Sequence, residues 1–370
     1  GLGAGLLLIL MIMHPLSLFG QNISQRQIKY RQGDWITYGV TRFVSSVARG
    51  DEYVYYGTSG GIMRYSFFSE EWDYPFTYSS GLSDDNIRLV AYDTGTGYLW
   101  CVSQTGVHFY VGGAEEWRNI SIPAINPGRI NSIGVGDHNV WLSGGGRLLK
   151  GSGIDGTFRS SSGEEAERDN VEWQGTRKKR APLPHLFVNG PYTFYPEQEY
   201  LEDNYLRRYD ISDYEQDRFN KLWLGTWGRG AAVADMLTTY LTILPFGLRI
   251  DAVEAMGWDE NGMWICGQNF DDTAGAITWW DMDENRWKSY DSFTVPGLRS
   301  DRGFSVSVGD TSVWFATDQG VAVLDKFEEE WYYYDINDGL WNRRIRYTAF
   351  DDTVLWIGCE HGLNRLYTES

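Results

Sequence analysis

The chain has 370 residues, a formal net charge of −18 and 16% aromatic residues. This apolar, aromatic composition excludes a disordered chain, and the acidic excess argues against nucleic acid or an anionic membrane surface as the main partner. The three cysteines, Cys101, Cys266 and Cys359, are too scattered for a disulfide framework or a zinc site. We expect them to be small buried residues.

The first 21 residues are interpreted as a signal peptide. Residues 5–13 form an apolar run that is too short to span a bilayer, and Pro15 and small residues follow it. The first residue is Gly1 rather than Met, and no charged segment precedes the apolar run. We expect a periplasmic or extracellular protein without membrane insertion after signal cleavage, with an uncleaved anchor as the alternative.

A short motif recurs seven times along the chain: an aromatic residue, two further strand residues and a Gly-containing turn. Its aromatic residues are Tyr55, Trp100, Trp141, Trp223, Trp264, Trp314 and Trp356. Their spacings are 45, 41, 82, 41, 50 and 42 residues, and a four-stranded propeller blade takes about 40–50 residues. One Trp in each repeat is the pattern expected for packing between blades. The repeats therefore predict an all-β fold, a seven-bladed β-propeller over residues 34–370.

Two features of this prediction concern the ring itself. The early strand from Trp35 to Tyr38 is predicted to supply the missing outer strand of the last blade, which would leave no open sheet edge. The doubled spacing coincides with residues 151–190, which lack strand alternation and are interpreted as a long, mobile insertion. An eight-bladed ring with a degenerate blade is the alternative. The basic run at residues 177–180 is interpreted as a solvated loop tip.

The repeat resembles the two-component regulator propeller repeat. The likeness is carried by Gly81-Leu82 with Asn86-Ile87, by Leu222 to Thr226, and by Leu355 to Gly358 with Gly362 to Arg365. The resemblance implies a propeller of the kind that forms the periplasmic ligand-sensing half of membrane histidine kinases. No transmembrane, kinase or DNA-binding region follows the seventh repeat in this sequence, so we expect a relative of the sensing module rather than a sensor kinase.

An arginine lies immediately before, or one residue out of step with, the innermost strand in six of the seven repeats. These residues are Arg42, Arg129, Arg208, Arg249, Arg302 and Arg344. In a ring they would converge on one mouth of the channel and could bind carboxylate, sulfate or phosphate groups. The alternative is that each Arg pairs with a nearby acidic residue such as Asp251, Asp301 or Asp85 and joins adjacent blades. Trp227 and Trp341 break the repeat pattern on the same predicted face and are candidates for stacking on a sugar.

No catalytic constellation emerges from the sequence. The five histidines share no motif, and the calcium-like run that begins at Asp281 has Arg286 where Gly is required. The sequence therefore predicts neither a cofactor nor a metal. We expect a binding or sensor-like scaffold whose partner is an anionic small molecule, a glycan or a protein. A propeller lyase or hydrolase acting on polysaccharide and a structural surface-assembly protein are the alternatives.

Overall fold

The structure is a computed structural model that describes residues 33–270, 276–351 and 353–368. The predicted signal peptide lies outside these residues. The described part of the chain contains seven β-sheets, and each is built around one of the seven motif strands. An all-β, propeller-like architecture is therefore confirmed, whereas the number of blades in a ring stays a prediction.

The first three sheets come from the first 175 residues. The first contains β1 (Val44–Arg49), β2 (Tyr53–Thr58), β3 (Gly61–Ser66) and β4 (Trp72–Phe76). The second contains β5 (Ile87–Asp93), β6 (Tyr98–Ser103), β7 (Val107–Val111) and β8 (Glu116–Ile120). The third contains β9 (Ile130–Gly136), β10 (Asn139–Gly144), β11 (Arg147–Ser152), β12 (Phe158–Ser160) and β13 (Glu172–Gly175), with helix α1 (Gly163–Arg168) between its last two strands.

The other four sheets follow in chain order. The fourth contains β14 (Phe187–Val188), β15 (Tyr192–Tyr195), β16 (Tyr200–Asp203), β17 (Arg208–Gln216), β18 (Lys221–Thr226), β19 (Gly230–Asp235) and β20 (Tyr240–Leu244). The fifth contains β21 (Ala252–Asp259), β22 (Gly262–Gln268), β23 (Ile277–Asp281) and β24 (Arg286–Tyr290). The sixth contains β25 (Gly303–Val308), β26 (Ser312–Thr317), β27 (Val321–Asp325) and β28 (Trp331–Tyr334), and the seventh contains β29 (Ile345–Asp351), β30 (Val354–Cys359) and β31 (Gly362–Tyr367).

The motif strands are the second strands of the hairpins, and in most sheets both of their faces are covered. In β6 every residue from Leu99 to Ser103 is buried, as expected for a strand between two neighbouring sheets. Gly61 shows why the turn after the motif strand needs glycine. Its φ is 107°, and a Cβ there would lie 2.4 Å from the carbonyl oxygen of Phe76.

The doubled spacing between Trp141 and Trp223 is filled by additional strands of the third and fourth sheets. β12 and β13 add to the two edges of the third sheet, while β14, β15 and β16 extend the fourth. Short strands and α1 lie within residues 151–190, which the sequence analysis interprets as an insertion. Its mobility stays a prediction.

The prediction of a solvated basic run is wrong for Lys178, whereas Arg177, Lys179 and Arg180 are exposed. The Lys178 side chain is only 7% exposed and forms ion pairs of 2.8 Å with both Asp213 and Glu215 on β17. The guanidinium of Arg177 donates to the Ser143 hydroxyl over 2.8 Å. Lys178 therefore joins the third and fourth sheets, because a buried cation requires charged or polar partners, whereas the Arg177 contact lies within the third sheet.

The predicted closure of the last blade by the N-terminal strand is wrong. Within the described residues the seventh sheet has three strands in the order β29-β30-β31. Tyr38 instead packs its ring at centroid distances of 4.7 Å from Trp280 and 5.5 Å from Trp287, in the fifth sheet. Val40 bridges Leu248. The stacked pair of tryptophans offers Tyr38 a larger aromatic surface than a sheet edge would.

The first sheet has neighbours that a single ring in chain order does not predict. β1 lies beside β5 and also beside β17, and the amide of Val47 on β1 donates to a carboxylate oxygen of Asp213 on β17 over 2.7 Å. Ile265 and Trp287 of the fifth sheet share a buried cluster with Val44 of β1. The first sheet therefore packs against the second, fourth and fifth sheets, whereas a ring of seven would place it between the second and the seventh.

Candidate functional site

An arginine-lined cavity of about 180 Å³ lies where the fourth and fifth sheets meet the segment that precedes β1. Arg42 comes from that segment, Arg229 from the turn between β18 and β19, and Arg249 from the loop between β20 and β21. Asp291, directly after β24, is the one acidic residue of the lining. Three cationic side chains thus face one carboxylate, which makes the lining positive in a protein of net charge −18.

The turn that carries Arg229 is fixed by its two flanking glycines. Gly228 and Gly230 have φ values of 112° and 80°, which side chains rarely adopt. Both of their amides donate to the carbonyl oxygen of Arg42 over 2.9 Å. The amide of Arg229 donates to the Thr226 hydroxyl over 3.0 Å. The Gly-Arg-Gly sequence therefore brings Arg229 and Arg42 together.

The side chain of Arg229 is only 2% exposed. Its Nη1 lies 3.5 Å from Asp291 Oδ2, and its Nη2 lies 3.7 Å from Asp203 Oδ2. The same Nη2 donates to the Tyr209 hydroxyl over 3.0 Å, with the Tyr209 ring centred 4.6 Å from the guanidinium carbon. The Nε atom has no hydrogen-bond partner in the described part of the chain. One donor of a buried cation is therefore unsatisfied by the described part of the protein.

The residues around Arg229 favour the protonated form of its guanidinium. Burial acts to lower the pKa of its guanidinium, but Tyr192, Tyr209 and Asp291 outweigh that effect, so the pKa is raised. Burial also raises the pKa of the Tyr209 phenol, to about 12, against the opposing effect of Arg229. At neutral pH the cavity therefore holds a cationic Arg229 beside a neutral Tyr209.

Arg249 and Arg42 form the second wall of the cavity. Arg42 Nη1 donates to the carbonyl oxygen of Arg249 over 2.7 Å, and its Nη2 pairs with Asp251 Oδ1 at 3.0 Å. Arg249 Nη1 lies 3.3 Å from Asp291 Oδ2. Its Nε atom is buried and, among the described residues, makes no hydrogen bond. Two buried guanidinium Nε groups of the cavity lining thus lack an acceptor among the described residues.

Asp291 is held in a fixed orientation by the start of the loop that follows β24. Its Oδ1 accepts from the amides of Phe293 and Thr294 and from the Thr294 hydroxyl, at 3.2, 2.9 and 2.9 Å. Its other oxygen faces Arg229 and Arg249. Asp291 thus serves two guanidinium groups, while Asp203 lies near Arg229 and Asp251 pairs with Arg42.

The structure brings together two of the six predicted arginines, Arg42 and Arg249. Arg302 lies in a different cleft, of about 480 Å³, with Arg299 and Arg343 facing Asp301, Asp318 and Asp335. Arg208 is exposed and pairs with Glu202 at 3.3 Å. Arg344 is exposed and lies 3.6 Å from Glu360, and Arg129 is exposed at the end of a short 3₁₀ helix.

The two candidate stacking residues lie apart from the cavity lining. Trp227 is 52% exposed and its ring packs against Phe43 at a centroid distance of 5.1 Å. Trp341 is 73% exposed, and its amide donates to the Asn364 side chain. The pairing of Arg42 with Asp251 matches the alternative in which arginines join blades. The residue missed by sequence analysis is Arg229, for which the flanking glycines of the Trp-Gly-Arg-Gly turn were the available signal.

The other titratable groups are structural. His108 on β7 is buried against the Ser103 hydroxyl at 3.2 Å, and burial lowers the pKa of its imidazole. Cys101 and Cys266 are buried free thiols, and Cys359 is half-buried. Across residues 33–270, 276–351 and 353–368, no cluster of three His, Cys, Asp or Glu side chains is placed to bind a metal. None of the helices in those ranges has the length and hydrophobicity to cross a membrane.

Comparison with known proteins gives distant structural matches only. No family model matches the chain, and no curated protein sequence matches it. One similar structure is PorZ, an essential bacterial surface component of the type-IX secretion system of Porphyromonas gingivalis, with 12% identity and a TM-score of 0.41 over 88% of this chain. The match spans only 57% of the PorZ chain.

Two further matches are extracellular domains from B. thetaiotaomicron that are described as parts of hybrid two-component systems. BT4673 is 13% identical with a TM-score of 0.29, and BT3049 is 15% identical with a TM-score of 0.27. Each match covers 88% of this chain. The matches cover 58% of the BT4673 chain and 40% of the BT3049 chain. At such TM-scores these matches carry no argument about function.

Proposed function

We propose that the protein is a propeller-type binding module of the periplasm or cell exterior, and that its arginine-lined cavity binds the carboxylate of a small organic acid. The observation that carries this proposal is the buried guanidinium of Arg229, whose Nε donor faces no protein acceptor among the described residues. The apolar segment at residues 5–13 is the support for location outside the cytoplasm.

Size and lining narrow the class of ligand. The cavity of about 180 Å³ is smaller than the roughly 300–1,000 Å³ of sites that take drug-sized molecules. Phe246, Ile243 and Leu244 supply an apolar wall opposite the charged groups. A compact carboxylic acid with a carbon skeleton, such as a uronic acid, fits this combination because guanidinium groups form strong, charge-assisted hydrogen bonds to carboxylates.

The test is calorimetric titration of the folded protein with glucuronate and galacturonate, with glucose as the neutral ligand of similar size. We expect heat of binding with at least one uronate and none with glucose. Arg249→Gln should weaken binding roughly 10- to 100-fold, since hydrogen bonds to charged groups contribute about 1.5–3 kcal/mol. Arg208→Gln is the matched control, because Arg208 is exposed and does not line the cavity.

Two results would contradict the proposal. One is the absence of binding to either uronate by the wild-type protein. The other is equal affinity of the Arg249→Gln and wild-type proteins. Release of unsaturated or shortened sugars from a uronate polymer would favour the polysaccharide lyase or hydrolase instead. A surface-assembly role has a specific observation in its favour, the uncovered face of the seventh sheet.

A further inference from the structure

The seventh sheet exposes one whole face. Strand register places its outward side chains in three rows: Tyr347 with Leu363, Ala349 with Trp356 and Arg365, and Asp351 with Tyr367. Tyr347, Leu363 and Tyr367 are 73%, 63% and 65% exposed. We call this surface, formed by Tyr347, Ala349, Asp351, Trp356, Leu363, Arg365 and Tyr367, the open face.

The opposite face of the same sheet is fully packed. Leu355 and Ile357 are at most 2% exposed and belong to a buried cluster with Trp314 of the sixth sheet. Trp314 therefore lies on the face of the sixth sheet that the seventh sheet covers. Trp264 of the fifth sheet is buried in the same way, in a cluster with Phe315 and Leu324.

Trp356 holds the equivalent position in the seventh sheet and is 39% exposed, against 5% for Trp314 and 4% for Trp264. The tryptophan at this position is covered in the fifth and sixth sheets and partly exposed in the seventh. Contiguous exposed aromatic and aliphatic side chains of this kind mark interaction surfaces. The surface that fits is another β-sheet, because a sheet is what covers the same side of the fifth and sixth sheets.

We propose that the open face packs against the open face of a second copy of this chain. The two copies are related by a twofold axis that lies between the two sheets, parallel to β30. Such an axis makes the interface isologous, so the same patch serves both partners. It lays β31 of one copy over β29 of the other and places the two Trp356 rings at the centre. Sheets packed face to face in this way form a sandwich with aligned strands.

Charge complementarity favours this axis. The open face carries one cation, Arg365 on β31, and one anion, Asp351 on β29, in adjacent rows. The twofold axis along β30 places Arg365 of each copy over Ala349 of the other, next to that copy's Asp351. Arg365 already lies over Tyr367, with 4.7 Å between the guanidinium carbon and the ring centroid, so it would be shielded between aromatic surfaces.

The pairing of apolar residues follows from the same geometry. Tyr347 of one copy faces Leu363 of the other, twice by symmetry, on either side of the central pair of Trp356 rings. Aromatic side chains at the centre of an interface with charges at its border are the usual arrangement of stable interfaces. The proposal is independent of the arginine-lined cavity, which lies between the fourth and fifth sheets.

Sedimentation velocity of the full chain over a concentration series tests the proposal. We expect a reversible dimer, and Trp356→Glu should convert it to a monomer. Asp351→Arg and Arg365→Asp should each weaken dimerisation at least tenfold, while the double exchange should restore it. Trp341→Glu is the control, because Trp341 is 73% exposed but lies outside the open face.

A wild-type protein that remains monomeric at the highest soluble concentration would overturn the proposal and leave the open face to a different partner. A dimer that withstands both Trp356→Glu and Arg365→Asp would overturn it as well. Circular dichroism of each variant checks that it is folded. The charge exchange remains informative if Trp356→Glu fails to fold, because both of its positions are exposed.

Discussion

The second and seventh sheets contain the same motif strand in two different environments. In the second sheet Trp100 is completely buried and stacks on Phe109 at a centroid distance of 4.6 Å. In the seventh sheet Trp356 occupies the same place and is 39% exposed. The repeat thus encodes a strand with two apolar faces, whereas burial of the second face depends on which sheet lies next to it.

The largest expected effect is the difference between truncating these two tryptophans. Trp100→Ala should lower the free energy of unfolding by about 3–5 kcal/mol, as is typical for a buried aromatic residue that leaves a cavity. Trp356→Ala should cost less than about 1 kcal/mol when measured at concentrations too low for self-association. Urea denaturation of both variants provides the comparison. Equal losses would mean that the open face is covered within the monomer.

A second prediction concerns the contact between the first and fourth sheets. Asp213 is 2% exposed and accepts from the Val47 amide at 2.7 Å and from the Lys178 ammonium at 2.8 Å. Asp213→Asn should lower the free energy of unfolding by about 1–3 kcal/mol, because the buried Lys178 ammonium loses the more deeply buried of its two charged partners.

Glu215→Gln is the control for this substitution. Glu215 contacts the same ammonium, but its side chain is 27% exposed, so a smaller loss is expected. Chemical denaturation of both variants measures the two losses. If Asp213→Asn lowered the free energy of unfolding no more than Glu215→Gln does, the contact between β1 and β17 would not be a determinant of stability.

The smallest expected effect is a pH dependence confined to the second sheet. Burial lowers the pKa of His108 in the folded state, so the unfolded chain binds a proton more readily than the folded chain does. Stability should therefore decrease as the pH falls below the unfolded value of about 6.5 and recover as the pH rises.

His108→Gln should retain a hydrogen bond to Ser103 and lose this part of the pH dependence. The measurement is the difference between the two proteins in unfolding free energy at pH 7 and at pH 5. Parallel losses in both proteins would show that acid destabilisation between pH 7 and pH 5 arises from groups other than His108.

The sequence predicted the strands well because their signals are local. Each of the seven motif residues lies on a strand of its own sheet, and the turn glycines Gly61 and Gly320 lie where a side chain would collide with the backbone. The neighbours of each sheet could not be predicted in the same way. Tyr38 had a sheet edge and a pair of stacked tryptophans as possible partners, and only the folded structure shows that it packs on Trp280 and Trp287.

Only those arginines of the candidate site that follow the repeat could be predicted from the sequence. Arg42 and Arg249 share a position in the repeat, so the pattern identified them. Arg229 sits in the turn between two strands and follows no period, and its role depends on contacts with residues about 20 to 60 positions distant, Tyr209 and Asp291. Long-range pairing of charged side chains leaves no periodic trace in a sequence.

The hydrogen bonds from Gly228 and Gly230 to the carbonyl oxygen of Arg42 give the chain upstream of β1 a mechanical connection to the ligand cavity. Detaching residues 36–43 would withdraw the Arg42 guanidinium and release the loop that orients Arg229 in a single step. If the cavity binds the proposed ligand, tension applied to the chain ahead of β1 would change the affinity of the cavity for it, and an occupied cavity would resist that tension.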